Sequence, residues 1–122
     1  MTRKSYDDNN IFARILRGEI PNNTAFEDEH VLAFHDITPK APVHILLIPK
    51  GKYTDIHDFS AHASADEITA FYRALAHLSV EYNLSDTGFR AIANCGLNGG
   101  QEVPHYHMHL IGGKRLGAMI PE

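Results

Sequence analysis

The pattern of hydrophobic and polar positions predicts a short helix followed by three strands in the first half of the chain. Polar residues at Asp7–Asn10 precede an apolar face in Ile11–Leu16, and Gly18 follows. This order is typical of a helix with a polar N-cap and a glycine stop. After a turn at residues 20–23, alternating or dense apolar runs predict strands at Thr24–Glu27, Val31–His35 and Val43–Ile48, the first two as a hairpin.

The second half predicts one long helix and two further strands. Ser64 and Glu67 have the spacing of a capping box, and apolar residues recur behind them at helical intervals. We therefore expect a helix over about Ala65–Tyr82. Strands follow at Gly88–Asn94 and Pro104–Ile111, separated by a glycine-rich loop. The element order predicts an α+β fold with a largely antiparallel sheet of about five strands.

Composition limits the class of protein. The chain has 122 residues, of which 43% are hydrophobic and 21% charged, which indicates a single globular domain over 1–122 with its core at about 10–113. One cysteine, Cys95, excludes a disulfide framework and a four-cysteine zinc site. The apolar run Ile45–Ile48 is far shorter than the roughly 20 residues of a membrane span, and Met1–Asn10 lacks the apolar segment of a signal peptide. We expect a cytoplasmic protein that binds no membrane.

The net charge of −4 argues against sequence-independent nucleic-acid binding, which requires a basic surface. A small phosphorylated ligand stays possible, because backbone N–H groups and histidines can hold one. The chain contains nine histidines. Three of them, His105, His107 and His109, alternate within five residues, and this cluster carries most of the functional interpretation.

Successive side chains of a strand point to opposite faces, so the three imidazoles should share one face and Tyr106, Met108 and Leu110 the other. Three interpretations are open. The polar face of a half-buried strand could simply consist of histidines. Two or three histidines could hold zinc. A neutral imidazole beside proton-donating neighbours could instead attack phosphorus. The loop of Gly96, Gly99 and Gly100 favours phosphate chemistry, because glycines let backbone amides approach an anion.

These residues resemble the histidine triad family, whose signature alternates three histidines with apolar residues. The resemblance is to its small nucleotide-binding phosphoramidases and covers about Asn10–Gly113. Further matching segments occur in the same order along the chain: Ile11-Phe12, Arg17–Pro21, Ala33–Ile37, Pro39, Ala41-Pro42, His44, Ile48–Lys50 and Gly99–Gln101. The resemblance implies hydrolysis of the P–N bond of purine nucleoside phosphoramidates through a nucleotidyl-histidine intermediate, without a cofactor or metal.

The resemblance also implies a role for each catalytic residue. His107 would be the nucleophile, and the backbone carbonyl of His105 would accept a hydrogen bond from its other ring nitrogen. His109 would contact phosphate oxygens, His44 would support the cluster from a neighbouring strand, and Gln101 would lie near the α-phosphate. The partners implied are a purine nucleotide of AMP or GMP type and a second copy of the chain. The homodimer would form through the long helix and a strand.

Substrate-binding roles are less specific. The resemblance implies that Asp36 accepts from ribose hydroxyls, although a turn-capping role before Thr38 is an alternative. Phe12, Phe34 and Ile37 would form the slot for the base, although the hydrophobic pattern alone favours core positions. His44 in an apolar run could equally be a hydrogen-bonded core histidine. The remaining predicted substrate contacts are Asn94, Gly100, Glu102 and Val103.

The sequence departs from some relatives at three places. Glu102 stands where they carry a small hydroxyl residue, and a carboxylate there would favour a basic amine as leaving group. Asn10 and Ala13 stand where others have a zinc-binding cysteine pair. The tail Lys114–Glu122 lacks their tryptophan. Alternatives to the phosphoramidase are a dinucleoside polyphosphate hydrolase, a nucleotide- or partner-binding module with incidental activity, and a zinc-binding protein.

Overall fold

A computed structural model describes residues 4–120 of the chain. Its elements in order are α1 (Ile11–Leu16), β1 (Thr24–Glu27), β2 (Val31–His35), β3 (Val43–Pro49), α2 (Ile56–His62), α3 (Ala65–Glu81), α4 (Leu84–Thr87), β4 (Phe89–Ile92) and β5 (Met108–Gly112). The strands form one sheet in the order β1-β2-β3-β5-β4, with every neighbouring pair antiparallel. The predicted α+β class and five-stranded sheet are confirmed. No helix within the described residues is long and apolar enough to span a membrane.

The predicted signals at the helix ends are present. The side chain of Asn10 accepts a hydrogen bond from the Ala13 N–H at 2.9 Å, which caps α1. Gly18 follows α1 with φ +79°, a conformation that costs glycine little. At the start of α3, the Glu67 N–H donates to Ser64 Oγ at 3.1 Å, and the Ser64 N–H donates to Glu67 Oε1 at 3.0 Å. The capping box therefore forms as the sequence predicts.

The sheet is buried on both faces at its centre, because β2 and β3 place alternate apolar side chains on opposite sides. One face packs under α2 and α3, with a core that includes Val31, Ala33, Ile45, Leu47, Phe59, Phe71, Leu78, Tyr106, Met108 and Leu110. The other face packs against α1, with a core of Phe12, Ile15, Leu32, Phe34, Leu46 and Ile48. This second face carries the histidines and the cleft described below.

Two short helices were not expected from the sequence. The seven-residue α2 is capped by Asp55, whose side chain accepts from the Asp58 N–H at 2.8 Å, and it buries Phe59 as its one large apolar side chain. The four-residue α4 is a single turn that buries only Leu84. Elements of one or two turns contain too few apolar positions for a helical period to be visible.

The last strand is shorter than the predicted Pro104–Ile111. Pairing with β3 begins at Leu47 opposite Met108. Before that point, the His105 N–H donates to the Val103 carbonyl at 2.9 Å and the Tyr106 N–H to the Tyr53 carbonyl at 2.8 Å. These local bonds replace the ladder, so β5 starts at Met108. Likewise β4 ends at Ile92, the last residue to pair with β5, and not at Asn94.

Candidate active site

The three histidines lie on one side of the segment 105–110 although only His109 belongs to a regular strand. Tyr106 and Met108 point to the opposite side, into the core beneath α3. The ring centroids of His107 and His109 are 5.2 Å apart. The predicted alternation of side chains thus holds although the residues before Met108 form no ladder hydrogen bonds with β3.

The ring of His107 is fixed in one tautomer. Its Nδ1 lies 2.8 Å from the backbone carbonyl oxygen of His105. A carbonyl can only accept, so Nδ1 carries the proton and Nε2 keeps its lone pair. Burial lowers the pKa of His107, although the bond to the His105 carbonyl and the charges of Glu102 and Asp36 act in the opposite direction. His107 is therefore a neutral imidazole at pH 7, with a nucleophilic Nε2.

His105 lies behind His107 and is fully buried. Its Nε2 lies 2.9 Å from the Pro49 carbonyl, and its Nδ1 lies 2.6 Å from the hydroxyl of Tyr6. Burial lowers the pKa of His105 to about 4, against the effect of the Pro49 bond. The side chain does not line the cleft, so His105 contributes its carbonyl oxygen to the site.

His44 and His109 are hydrogen-bonded to each other through their rings. The Lys40 N–H donates to His44 Nδ1 at 3.0 Å, so His44 carries its proton on Nε2. That nitrogen lies 2.9 Å from His109 Nδ1, which must accept. His109 then keeps its own proton on Nε2. The contact follows from register, since Leu46 lies opposite His109 and His44 is the diagonal neighbour on the same face.

Burial lowers the pKa of both members of this pair. For His44 it acts together with Lys40 and against Asp36. For His109 it acts together with the neighbouring His107 and His44, and brings the pKa to about 4. The cluster is therefore neutral at pH 7, and His109 offers an N–H donor and not a full positive charge.

An open cleft of about 550 Å³ lies beside these rings, within the size range of small-molecule sites, roughly 300–1,000 Å³. Most residues predicted for the site line it: Phe12, Phe34, Asp36, Ile37, His44, Asn94, Gly100, Glu102, Val103, His107 and His109. Of the predicted set, the side chains of His105 and Gln101 lie outside the lining.

The apolar part of the cleft belongs partly to the core. Phe12 and Phe34 are buried, with their rings edge to face at 5.7 Å, and Phe12 also contacts the ring of His107 at 5.0 Å between centroids. Ile37 is 95% exposed at the rim. Phe12 and Phe34 can therefore belong to the core and also form one wall of a slot for the base. Ile37 is not a core residue, and its exposed side chain is accessible to a ligand.

Asp36 combines both functions considered for it. Its Oδ1 accepts from the Thr38 N–H at 2.8 Å and from the Thr38 hydroxyl at 3.2 Å, so the turn-capping role is present. Its Oδ2 lies 3.5 Å from His44 Nε2, and the residue lines the cleft. One carboxylate oxygen therefore holds the turn while the other faces the histidine pair.

The glycine loop differs from the expectation of free amides around an anion. The Gly100 N–H donates to the Leu97 carbonyl and the Gln101 N–H to the Gly96 carbonyl, both at 3.1 Å. The Gly96 N–H donates to Gln101 Oε1 at 3.0 Å. Gln101 Nε2 donates to the carbonyls of Thr54 and Val103. The amides of Gly96, Gly100 and Gln101 are thus satisfied within the loop, and Gln101 holds that loop in place.

Within residues 4–120, one group of three side chains has the spacing to hold a metal ion. Asp36, His44 and His109 offer ligand atoms that all lie within 4.8 Å of one another. In the structure the shortest of these separations is the hydrogen bond between the two imidazoles, with one nitrogen protonated. A metal would have to displace that proton and take both lone pairs. The arrangement as it stands is that of a hydrogen-bond relay.

Two contributors to the site have no signal in the sequence. The Lys40 amide acts through its backbone, so its side-chain type carries no information. Tyr6 reaches His105 across 99 residues of chain, and the polar segment around it suggests only a helix cap. His35 also lines the cleft, and its ring contacts Tyr82. Lys50 forms an ion pair with Glu27, and Lys52 forms one with Asp8. Both ammonium groups are therefore engaged by carboxylates and are not assigned to phosphate binding.

Comparison with known proteins agrees with this geometry. The family model of the HIT domain matches residues 17–116. An uncharacterised 13.2 kDa HIT-like protein of Azospirillum brasilense is 54% identical over 96% of both chains. The purine nucleoside phosphoramidase of Escherichia coli is 41% identical over 90% of this chain and 92% of its own.

Among solved structures, a HIT family hydrolase from Clostridium thermocellum superposes with a TM-score of 0.84 and 35% identity. The match covers 94% of this chain and 99% of that one. The family model, the relatives and the histidine geometry together establish that this chain belongs to the histidine triad, or HIT, family.

Proposed function

We propose that this protein hydrolyses the P–N bond of purine nucleoside 5′-phosphoramidates, including adenylated lysine, and releases the nucleoside monophosphate. The observation that carries the proposal is the single tautomer of His107. Its Nδ1 proton is committed to the His105 carbonyl, which leaves a neutral Nε2 on a side chain that lines the cleft. Such an imidazole is a nucleophile at neutral pH without further activation.

In the first step, His107 Nε2 would attack the α-phosphorus while the P–N bond breaks. The departing nitrogen takes up a proton from solvent in the open cleft and leaves as the free amine. The imidazole then carries both the nucleotidyl group and its Nδ1 proton, and the His105 carbonyl stabilises the positive ring. In the second step, water attacks the same phosphorus, the N–P bond breaks, and one proton is released with the monophosphate.

The surrounding side chains provide recognition. The N–H on His109 Nε2 would donate to a phosphate oxygen, and the relay from the Lys40 amide through His44 keeps that proton in place. Asp36 Oδ2 would accept from a ribose hydroxyl. The base would lie against Phe12, Phe34 and Ile37. Glu102, exposed at the cleft, would face a basic leaving group.

The test is an assay of the wild type and His107→Ala with an adenosine 5′-phosphoramidate. We expect loss of about three or more powers of ten in kcat in the variant, because only positioning remains once the nucleophile is removed. Binding of AMP should survive in the variant. Acid quenching of the wild type should trap a nucleotide on histidine.

The same assay separates the competing functions. Turnover of His107→Ala equal to the wild type would refute the mechanism. Preference for a dinucleoside polyphosphate over the phosphoramidate would move the assignment to P–O hydrolysis. Tight AMP binding without turnover of either substrate would indicate a binding module. Activity lost on chelation and restored by zinc would favour a metal site at Asp36, His44 and His109.

We further propose that two copies of the chain pair through α3 and β4. The strand β4 lies at an edge of the sheet, and edge strands offer unpaired backbone groups. On α3, Tyr72 and Val80 are both exposed and lie eight residues apart, on one helical face. A mass measurement in solution should give twice 13.6 kDa, and Val80→Glu should shift it towards the monomer.

A further inference from the structure

The contact between Tyr6 and His105 lies outside the cleft and connects the N-terminal segment to the nucleophile. The Tyr6 hydroxyl is 2.6 Å from His105 Nδ1, and the rings meet edge to face at 5.6 Å between centroids. We propose that Tyr6 is a positioning residue that holds His105 in one tautomer and through its carbonyl orients His107. This rests on the function proposed above.

The direction of the hydrogen bond follows from the second nitrogen of His105. Nε2 faces the Pro49 carbonyl at 2.9 Å, and that oxygen can only accept, so Nε2 carries the proton. Nδ1 is then a lone pair, and the Tyr6 hydroxyl must donate to it. Burial raises the pKa of Tyr6, so the hydroxyl keeps the proton that it donates.

The link from this ring to the reaction is the main chain of His105 itself. The imidazole is held at both nitrogens in a fully buried position. The carbonyl of the same residue accepts the His107 Nδ1 proton at 2.8 Å. Without the hydroxyl, a buried Nδ1 would lack a partner, which favours a turn of the ring or entry of water. Either change moves the acceptor that orients the nucleophile.

The segment that carries Tyr6 is anchored on the loop after β3. Lys4 pairs with Asp55 at 3.3 Å, and Asp8 pairs with Lys52 at 2.8 Å. The Lys52 ammonium also lies 5.9 Å from the centre of the Tyr6 ring. These contacts flank Tyr6 on both sides along the chain. They keep the hydroxyl in place: Asp55 is buried, whereas both members of the Asp8–Lys52 pair are exposed, which makes that pair weak on its own.

The test compares Tyr6→Phe with Tyr82→Phe. Tyr82 is a matched control, because its hydroxyl also lies within hydrogen-bond distance of a histidine, 3.2 Å from His35 Nε2, and that ring lies on the face of the sheet that packs under α3, opposite the triad. With an adenosine 5′-phosphoramidate of lysine, we expect Tyr6→Phe to lower kcat about tenfold and leave KM unchanged, because an orienting bond and not a substrate contact is removed. Tyr82→Phe should keep the kcat of the wild type.

Two further measurements separate positioning from a general structural effect. In ¹⁵N NMR of histidine-labelled protein, wild-type His105 should show one Nε2–H tautomer, and Tyr6→Phe should shift its Nδ1 signal. In a His105→Asn background, adding Tyr6→Phe should lower kcat no further. Unchanged kcat and unchanged His105 signals in Tyr6→Phe would overturn the proposal, as would a full additional loss in the double variant. An inactive wild type would overturn the proposed function instead, and the NMR comparison would still decide the role of Tyr6.

Discussion

The two sides of the segment 105–110 are built from the same six residues of backbone but are stabilised in different ways. On one side, Tyr106 stacks on Phe71 with ring centroids 5.0 Å apart, and Met108 and Leu110 complete an apolar core. On the other, each imidazole is held by directed hydrogen bonds to a carbonyl, a hydroxyl or another ring. Packing holds the first side and polar geometry the second.

This difference has an energetic consequence. Apolar contacts are individually small but large in sum, so the core side supplies stability. Buried polar groups contribute little when they are satisfied and cost much when a partner is lost. Loss of a hydrogen-bond partner on the histidine side therefore costs stability, although the intact hydrogen bonds add little to it. This is compatible with a catalytic role for these residues. Substitutions on the two sides should separate stability from turnover.

Phe71→Ala gives the largest expected effect on stability. Phe71 is fully buried and contacts Tyr106 and Phe59, so its removal should reduce the free energy of unfolding by about 3–5 kcal/mol. Urea denaturation measures this loss. At temperatures where the variant remains folded, kcat per folded molecule should stay within a few-fold of the wild type.

Phe71→Leu serves as the milder control and should lose less stability in the same experiment. A large fall in kcat in folded Phe71→Leu would show that the two sides are coupled through Tyr106. In that case, packing would set the geometry of the imidazoles and the separation described above would be wrong.

The fold was predictable because its main elements carry repeated local signals. Both β2 and the capping box of α3 occur where the sequence predicts them, since apolar alternation and the Ser64–Glu67 pair act within a few residues. The sheet order was not predictable in the same way. It depends on β5 inserting between β3 and β4, a pairing of distant segments without a local signature.

The site was predictable in its residue types but not in its hydrogen bonds. Alternation places His105, His107 and His109 on one side, and the structure brings His107, His109 and His44 to one cleft. Gln101 belongs to the sequence motif but does not line the cleft, because its side-chain oxygen accepts from the Gly96 N–H and its side-chain nitrogen donates to the Thr54 and Val103 carbonyls. The donors to His105 and His44 are the Tyr6 hydroxyl and the Lys40 amide, and neither residue belongs to a motif quoted above.

Substitutions at His44 test the polar side directly. His44→Ala removes the donor to His109 Nδ1, so its kcat should fall about 10–100-fold, as for loss of one strong hydrogen bond in the transition state. His44→Gln can still donate from its amide towards His109, whereas His44→Asn better replaces the acceptor for the Lys40 N–H. We expect Gln to retain more activity than Asn in a steady-state assay. The opposite order would show that the Lys40 contact, and not the relay, carries the effect.

The pH dependence of stability should also come from the histidine side. The pKa of His105 is about 4 in the folded chain, below the ordinary value near 6.5, so the unfolded chain binds more protons between these values. Stability is therefore fully present above pH 6.5 and falls as the pH drops towards 4, by up to about 1.4 kcal/mol per pH unit for this residue. Urea midpoints across this range measure the slope. His105→Asn should reduce the slope of unfolding free energy against pH by the contribution of His105. An unchanged slope would show that His105 is not the group responsible.

The smallest effect concerns selection of the leaving group at the open end of the cleft. Glu102 lines the cleft and is exposed, so its attraction for an ammonium is screened by water. Comparing lysyl and neutral-amine phosphoramidates, we expect Glu102→Gln to lower the preference for the lysyl substrate by about two- to fivefold, the range of an exposed ion pair. Turnover of the neutral-amine substrate should change little, because Glu102 touches neither imidazole nitrogen of His107.

A preference ratio equal to that of the wild type would remove Glu102 from substrate selection and leave the side chains of the tail as the next candidates. An effect that disappears at high salt would confirm that charge, and not the shape of the side chain, distinguishes the two amines.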